Sequence, residues 1–148
     1  MLATIAYRGA KAIRGAPESF GTYGAPESPR TPVKILAHMG DLFDWALSIA
    51  QGNQKWNNFE PLPWPQEAAR FFAALEAFDS YLASDQPMQC SIEGLLQAPV
   101  ADCLTHIGQL TMLRRMAGCP IKGENYHRAD IVAGRVGMDQ AAPRREFD

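Results

Sequence analysis

Hydrophobic positions along this chain recur with helical spacing in four places, and no segment alternates as a half-buried strand would. The clearest run follows Thr31, a good N-cap type, and Pro32, which is well suited to a first helical position. Behind them Leu36, Met39, Phe43, Ala46 and Ala50 keep one face. A second stripe of Ile35, His38, Leu42, Trp45 and Ile49 lies beside it. At about 100° per residue the two stripes fill roughly half the helix circumference. Lys34, Asp41, Asp44 and Ser48 fall on the opposite side. So wide an apolar arc needs two packing neighbours, which a helical bundle provides.

The same spacing predicts a helix over residues 66–83, with Ala68, Phe71, Phe72, Leu75, Phe78 and Leu82 inward. Another opens at Pro99, carries Val100, Cys103, Leu104, Ile107, Leu110 and Ala117 on its apolar stripe, and closes at Gly118 and Pro120. A short first helix over residues 2–14 places Leu2, Ile5, Ala6 and Ile13 on one side. Between the first two helices the pentapeptide GAPES occurs at residues 15–19 and again at 24–28, marking a long surface crossover. The proline-rich stretch 51–65 holds Trp56, Phe59 and Trp64, aromatics that either line a pocket mouth or lid one end of the core. SIEGLL at 91–96 reads as a helical turn, and residues 129–133 as a short helix before a polar tail. The expected architecture is all-α: one domain over 1–148, a four-helix bundle with a long first crossover and a short C-terminal helical extension.

Composition agrees with a globular chain, since 47% of the 148 residues are hydrophobic and 20% charged. A net charge of -2 leaves no broad basic face, so nucleic acid is not an expected partner. Basic residues of the last third (Arg114, Lys122 and Arg128 among them) alternate with Glu124, Asp130 and Glu146, as on a solvated mixed-charge surface. Cys90, Cys103 and Cys119 form no CxxC pair and no even framework, which fits a reducing, cytoplasmic setting. The apolar start is too short for a secretory core, and no run approaches the ~18 residues of a membrane span. A soluble protein is expected.

Three histidines are present. His38 lies inside the apolar arc of its helix and His106 at the edge of another, and buried imidazoles are costly without partners. Asp102 stands four residues before His106, so the two stack about 40° apart on one face. Such a pair can clamp a divalent ion, and His38 from a facing helix would make a third ligand, leaving positions open for water or substrate. Zinc, nickel, iron or manganese would each suit these donors. Plainer roles are available too. Asp102 can complement a helix dipole, His106 can donate to a carbonyl or to Asp102, and His38 can be a hydrogen-bonded core residue. His127, in NYHRADI, reads as a loop or surface residue, with a fourth ligand as the alternative. Cys103 reads as a small hydrophobe, and Glu67, Glu76 and Asp79 as solvated charges. GxSxG, Walker and GxGxxG motifs are absent.

Three segments carry a resemblance: ILAHMGDLFDWAL around His38, RFFAALEAFDSYLAS, and LLQAPVADCLTHIGQLTMLRRMAG. Over residues 31–137 they resemble the DinB-like superfamily of bacterial four-helix-bundle proteins. That resemblance implies a metal held by one histidine of the second helix and an HxxxH pair of the fourth, commonly in a homodimer. His38 matches the first ligand and His106 the last, while Asp102 replaces the middle histidine. It further implies a metal-dependent thiol transferase, using a low-molecular-weight thiol, or a hydrolase of small molecules. The alternative is a non-catalytic, stress-associated dimeric binding protein with a degenerate or passive metal site.

Overall fold

The computed structural model describes residues 1–24 and 30–147. Its elements are α1 (Leu2–Ile13), α2 (Pro32–Ala50), α3 (Trp64–Leu82), the one-turn α4 (Ile92–Leu95), α5 (Ala101–Met116), β1 (Gly123–Glu124) and β2 (Glu146–Phe147). The chain is therefore mostly helical with one very small sheet. Among the described residues no helix is long and apolar enough to cross a membrane.

The predicted stripes become the core. Leu36, Met39, Phe43, Ala46 and Ala50 of α2 are buried, as are Ala68, Phe71, Phe72, Leu75 and Phe78 of α3. Val100, Cys103, Ile107 and Leu110 meet them from the chain around α5, and Leu2, Ile5, Ala6, Ala10 and Ile13 from α1. Helix α2 packs along α3 and against α5, while α1 packs against α5 and α3. Each long helix thus has two principal neighbours, which is why its apolar face is wider than a single seam needs. Leu82, expected inward, is instead 39% exposed at the last residue of α3.

Pro99 does not open a helix. Helical backbone runs from Ile92 through a π-helical turn at Leu96–Val100 and straight into α5. Proline has no N–H for the usual i to i−4 bond, and the wider turn accommodates that loss without breaking the helix. Val100 keeps helical angles (φ −72°, ψ −48°), so Asp102 does not sit at an open N-terminus and its proposed dipole role falls away.

The crossover after α1 contains a 3-10 turn, Glu18–Thr22, whose buried Phe20 packs edge-on to Trp64 at 5.3 Å. Trp64 thus lids the core, and the first GAPES copy leads into that turn. The second copy lies, beyond Gly24, outside the described residues.

The last third departs most from expectation. Residues 129–133 are not helical; a single 3-10 turn, Tyr126–Arg128, stands just before them, with the Asn125 side chain accepting from the His127 N–H. The tail then returns so that β1 pairs antiparallel with β2, Gly123 opposite Phe147. A two-residue strand is too short to show an alternating pattern, which is why the sequence does not reveal it.

Nor is this surface simply solvated. Arg114 is buried, and its guanidinium donates to the carbonyls of Ala12, Arg14, Gly15 and Cys119, satisfying the open end of α1. Glu124 is buried too, accepting from Tyr7 at 2.8 Å and from Lys11 at 2.9 Å, while Lys11 also reaches Glu146. Burial pushes the Glu124 carboxyl up, but hydrogen bonds from Lys11, Tyr7 and the Arg144 amide outweigh it, and the net shift is down. Burial likewise lowers Lys11, and its bonds to Glu146 and Glu124 reverse the sign.

Glu124→Gln should therefore cost about 2–3 kcal/mol at neutral pH, somewhat less than a fully isolated buried charge because Lys11 keeps Glu146. A carboxylate with a depressed pKa contributes above its unfolded value and loses that contribution as pH falls through the folded value. The gap between wild type and variant should consequently close in acid, as urea melts at pH 7 and near pH 3 would show.

Candidate metal centre

The histidine of α2 and the Asp–His pair of α5 do converge. His38 Nε2 lies 3.5 Å from Asp102 Oδ2, and His106 Nε2 lies 3.3 Å from Asp102 Oδ1. One donor atom from each of the three falls within 4.8 Å of the others. The two imidazole rings stand 4.7 Å apart and nearly perpendicular, at 89°. This is the one such group of three or more potential ligands among the described residues.

Local structure explains the convergence. The i, i+4 spacing stacks Asp102 above His106 on α5, and the contact between α2 and α5 brings His38 opposite them. The π turn just before Ala101 adjusts the phase at which that face meets α2. His106 is buried, and its Nδ1 stands 3.1 Å from Gln109 Oε1. With Gln109 accepting, Nδ1 carries a proton and Nε2 faces Asp102.

Two lone-pair atoms at 3.3 Å repel unless a proton or a cation lies between them. The donor set fits a cation well. Two imidazole nitrogens and a carboxylate are donors that such ions take, and one atom of each lies within 4.8 Å of the others. Gln109 supplies the outer support typical of a ligating histidine. His38 and Asp102 remain partly exposed, so three protein donors leave an accessible side. Burial, then the His106 and Arg30 charges, lower the His38 pKa despite Asp102, favouring the neutral imidazole that a metal needs.

No family model, curated protein or solved structure matches this chain.

The other expected participants stand apart. His127 lies exposed in the 3-10 turn and does not join the group. Cys103 neighbours Asp102 in sequence but is fully buried, and burial followed by the Asp102 charge pushes its thiol up, so it is an unreactive core residue. Trp56 stands against His38, with ring centroids 5.5 Å apart, and also edge-on to Trp45, forming one wall of the site.

A second polar cluster was hidden in the sequence. Asp41 and Glu67, expected to be solvated, are 2% and 0% exposed. They converge with Asp44 on Arg70, which pairs with Asp41 at 3.0 Å and with Asp44 at 3.2 Å, contacts Glu67, and donates to the Ala37 carbonyl. Gly40 makes room, because a Cβ there would fall 2.8 Å from the guanidinium carbon. Glu67 also accepts the Leu62 N–H at 2.8 Å. The cluster therefore ties α2, α3 and the aromatic loop together next to His38. The pairing partner is 26 to 29 positions away in sequence (Asp44 to Arg70, Asp41 to Arg70), so helical periodicity gives no warning of it.

Proposed function

We propose that this chain is a DinB-like four-helix-bundle protein that binds one divalent transition metal through His38, Asp102 and His106. Its reaction is a thiol transfer or a hydrolysis on small molecules. The observation that carries this is the meeting of two imidazole nitrogens and a carboxylate at 3.3 and 3.5 Å. The closed circuit of contacts among α1, α5, α2 and α3 supports the bundle. When bound, the ion supplies a Lewis acid that lowers the pKa of a thiol or water. The protein's own part is to hold His106 by Gln109, to keep His38 neutral, and to wall the site with Trp45 and Trp56 while leaving one side open.

Zinc, nickel, iron and manganese all suit two nitrogens and an oxygen. The aspartate shifts preference toward harder ions relative to three histidines. We further propose a homodimer and a cytoplasmic location. Met112 and Met116, one turn apart and exposed on α5, support the first, and the free Cys90, Cys103 and Cys119 the second.

Elemental analysis of purified protein should find close to one transition metal per chain, and conjugation of a simple thiol to an electrophile should depend on that metal. Protein that takes up none of the four ions after supplementation would refute the proposal.

A second possibility has its own support. Asp102 already reaches both imidazoles, so a protonated histidine would hold the trio together with no ion. A passive binding protein of this kind would lose stability on Asp102→Asn equally with and without added metal, and would show no turnover.

A further inference from the structure

Asp102 belongs to a cleft as well as to the trio. Its side chain is 44% exposed and lines a space of about 520 Å³ between α2 and α5, a volume suited to a small organic molecule. Buried Leu42 and partly buried Trp45 come from α2, Ala98 from the π turn, and Ala101 from the start of α5. Two alanines at i, i+3 share one face there and leave room that longer side chains would fill.

Charge and hydrogen bonding narrow what this cleft can take. Asp102 is the one charged side chain in its lining, and no cation stands among the others. An anion entering there would meet that carboxylate unopposed, and a cation would compete with the metal ion for it. The Thr105 hydroxyl is already spent on the Asp102 carbonyl at 2.7 Å, which leaves the exposed Gln97 amide to meet an uncharged polar group of a ligand. Trp45 meets Trp56 edge-on, with ring centroids 5.7 Å apart and planes at 81°, and Trp56 in turn stands against His38 at 5.5 Å. An aromatic wall thus runs from the cleft to the metal centre, and aromatic rings pack on such walls better than their buried area alone accounts for.

We propose that this cleft holds the body of the substrate, a neutral molecule carrying an aromatic ring that packs on Trp45 while its reacting atom reaches the ion past Asp102. Trp45 and Ala101 are then specificity-determining residues, the first by partnering the ring and the second by leaving the space open. The binding rests on the cleft itself, while the exclusion of cations and the chemistry at the reacting atom rest on the metal centre proposed above.

The test uses 15N-labelled full-length protein, zinc-loaded or treated with a chelator, with zinc content measured on every sample. It is titrated with benzyl alcohol, with cyclohexylmethanol and with benzylamine. Benzyl alcohol should give saturable shifts centred on the Trp45 indole N–H and the amides of Ala98 and Ala101. Cyclohexylmethanol, similar in size but without an aromatic face, should bind at least about threefold more weakly. Benzylamine should bind zinc-loaded protein no more tightly than benzyl alcohol does. Ala101→Trp, at an exposed helical position where a larger side chain leaves the core untouched, should weaken benzyl alcohol at least about tenfold by filling the cleft. Trp45→Leu should erase the preference for the aromatic ring. Equal binding of the two alcohols, undiminished binding in Ala101→Trp, or tighter binding of benzylamine by zinc-loaded protein would overturn the assignment. An aromatic preference that persists after chelation upholds the cleft even if zinc is never taken up. Zinc uptake without that preference removes the cleft and leaves the metal centre standing.

Discussion

Replacing His106 by alanine is expected to drop metal content from about one ion per chain to less than a tenth, with the helical fold retained. Alanine is the best helix former, and position 106 lies well inside α5, so the backbone should tolerate the change. The imidazole is lost from a set of only three protein donors, and two cannot hold an ion against water and buffer. Even disturbing an outer partner of a ligating histidine typically costs about 10–100-fold in metal affinity. Gln109→Leu, which removes the acceptor at His106 Nδ1, should therefore fall between wild type and His106→Ala. Thermal melts give an independent readout. A ligand at about 1,000 times its dissociation constant stabilises the native state by about 4 kcal/mol, so zinc should raise the wild-type Tm clearly and leave His106→Ala unmoved. Asp102→His should bind zinc more tightly than wild type, because a third imidazole suits that borderline ion better than a carboxylate. An equal zinc response in wild type and His106→Ala would separate His106 from any metal.

Arg70→Met should be the most destabilising single change predicted here, at about 3–5 kcal/mol, or roughly 10–15 °C in Tm. Methionine fills similar volume, so the loss is electrostatic. Asp41 and Glu67 remain buried and Asp44 half-buried with no cation among them, and the Ala37 carbonyl loses its donor. Burial already raises the Asp41 and Asp44 carboxyls above their ordinary range even with Arg70 opposing it. A carboxyl with a raised folded pKa binds its proton more readily folded than unfolded, so its destabilising effect fades as pH falls through that value. Without Arg70 the raise should grow, and the deficit should be largest at pH 7 and smaller near pH 4.5. Paired urea melts at those two values measure it. A deficit that is the same at both would show that packing, and not unpaired charge, holds this corner. Because Ala37 and Asp41 flank His38, the variant should also weaken metal binding.

Helix content and core membership were legible in the order of residues alone. Apolar side chains at three- and four-residue spacing have few ways to leave water except on one face of a helix, so the stripes of α2 and α3 could be read before any fold was known. The trio at 38, 102 and 106 was readable in part for the same reason. A spacing of four puts Asp102 over His106, and an imidazole inside an apolar arc demands a partner. Only tertiary packing decided that His38 meets that pair, because the angle between two helices depends on all the side chains between them. The same holds for the proline at 99, absorbed into a π turn between α4 and α5, and for the buried charges at 41, 114 and 124. A charged residue looks solvated in sequence. It becomes buried when a distant partner offsets its desolvation, and contacts between residues far apart in the chain leave no local periodicity to read.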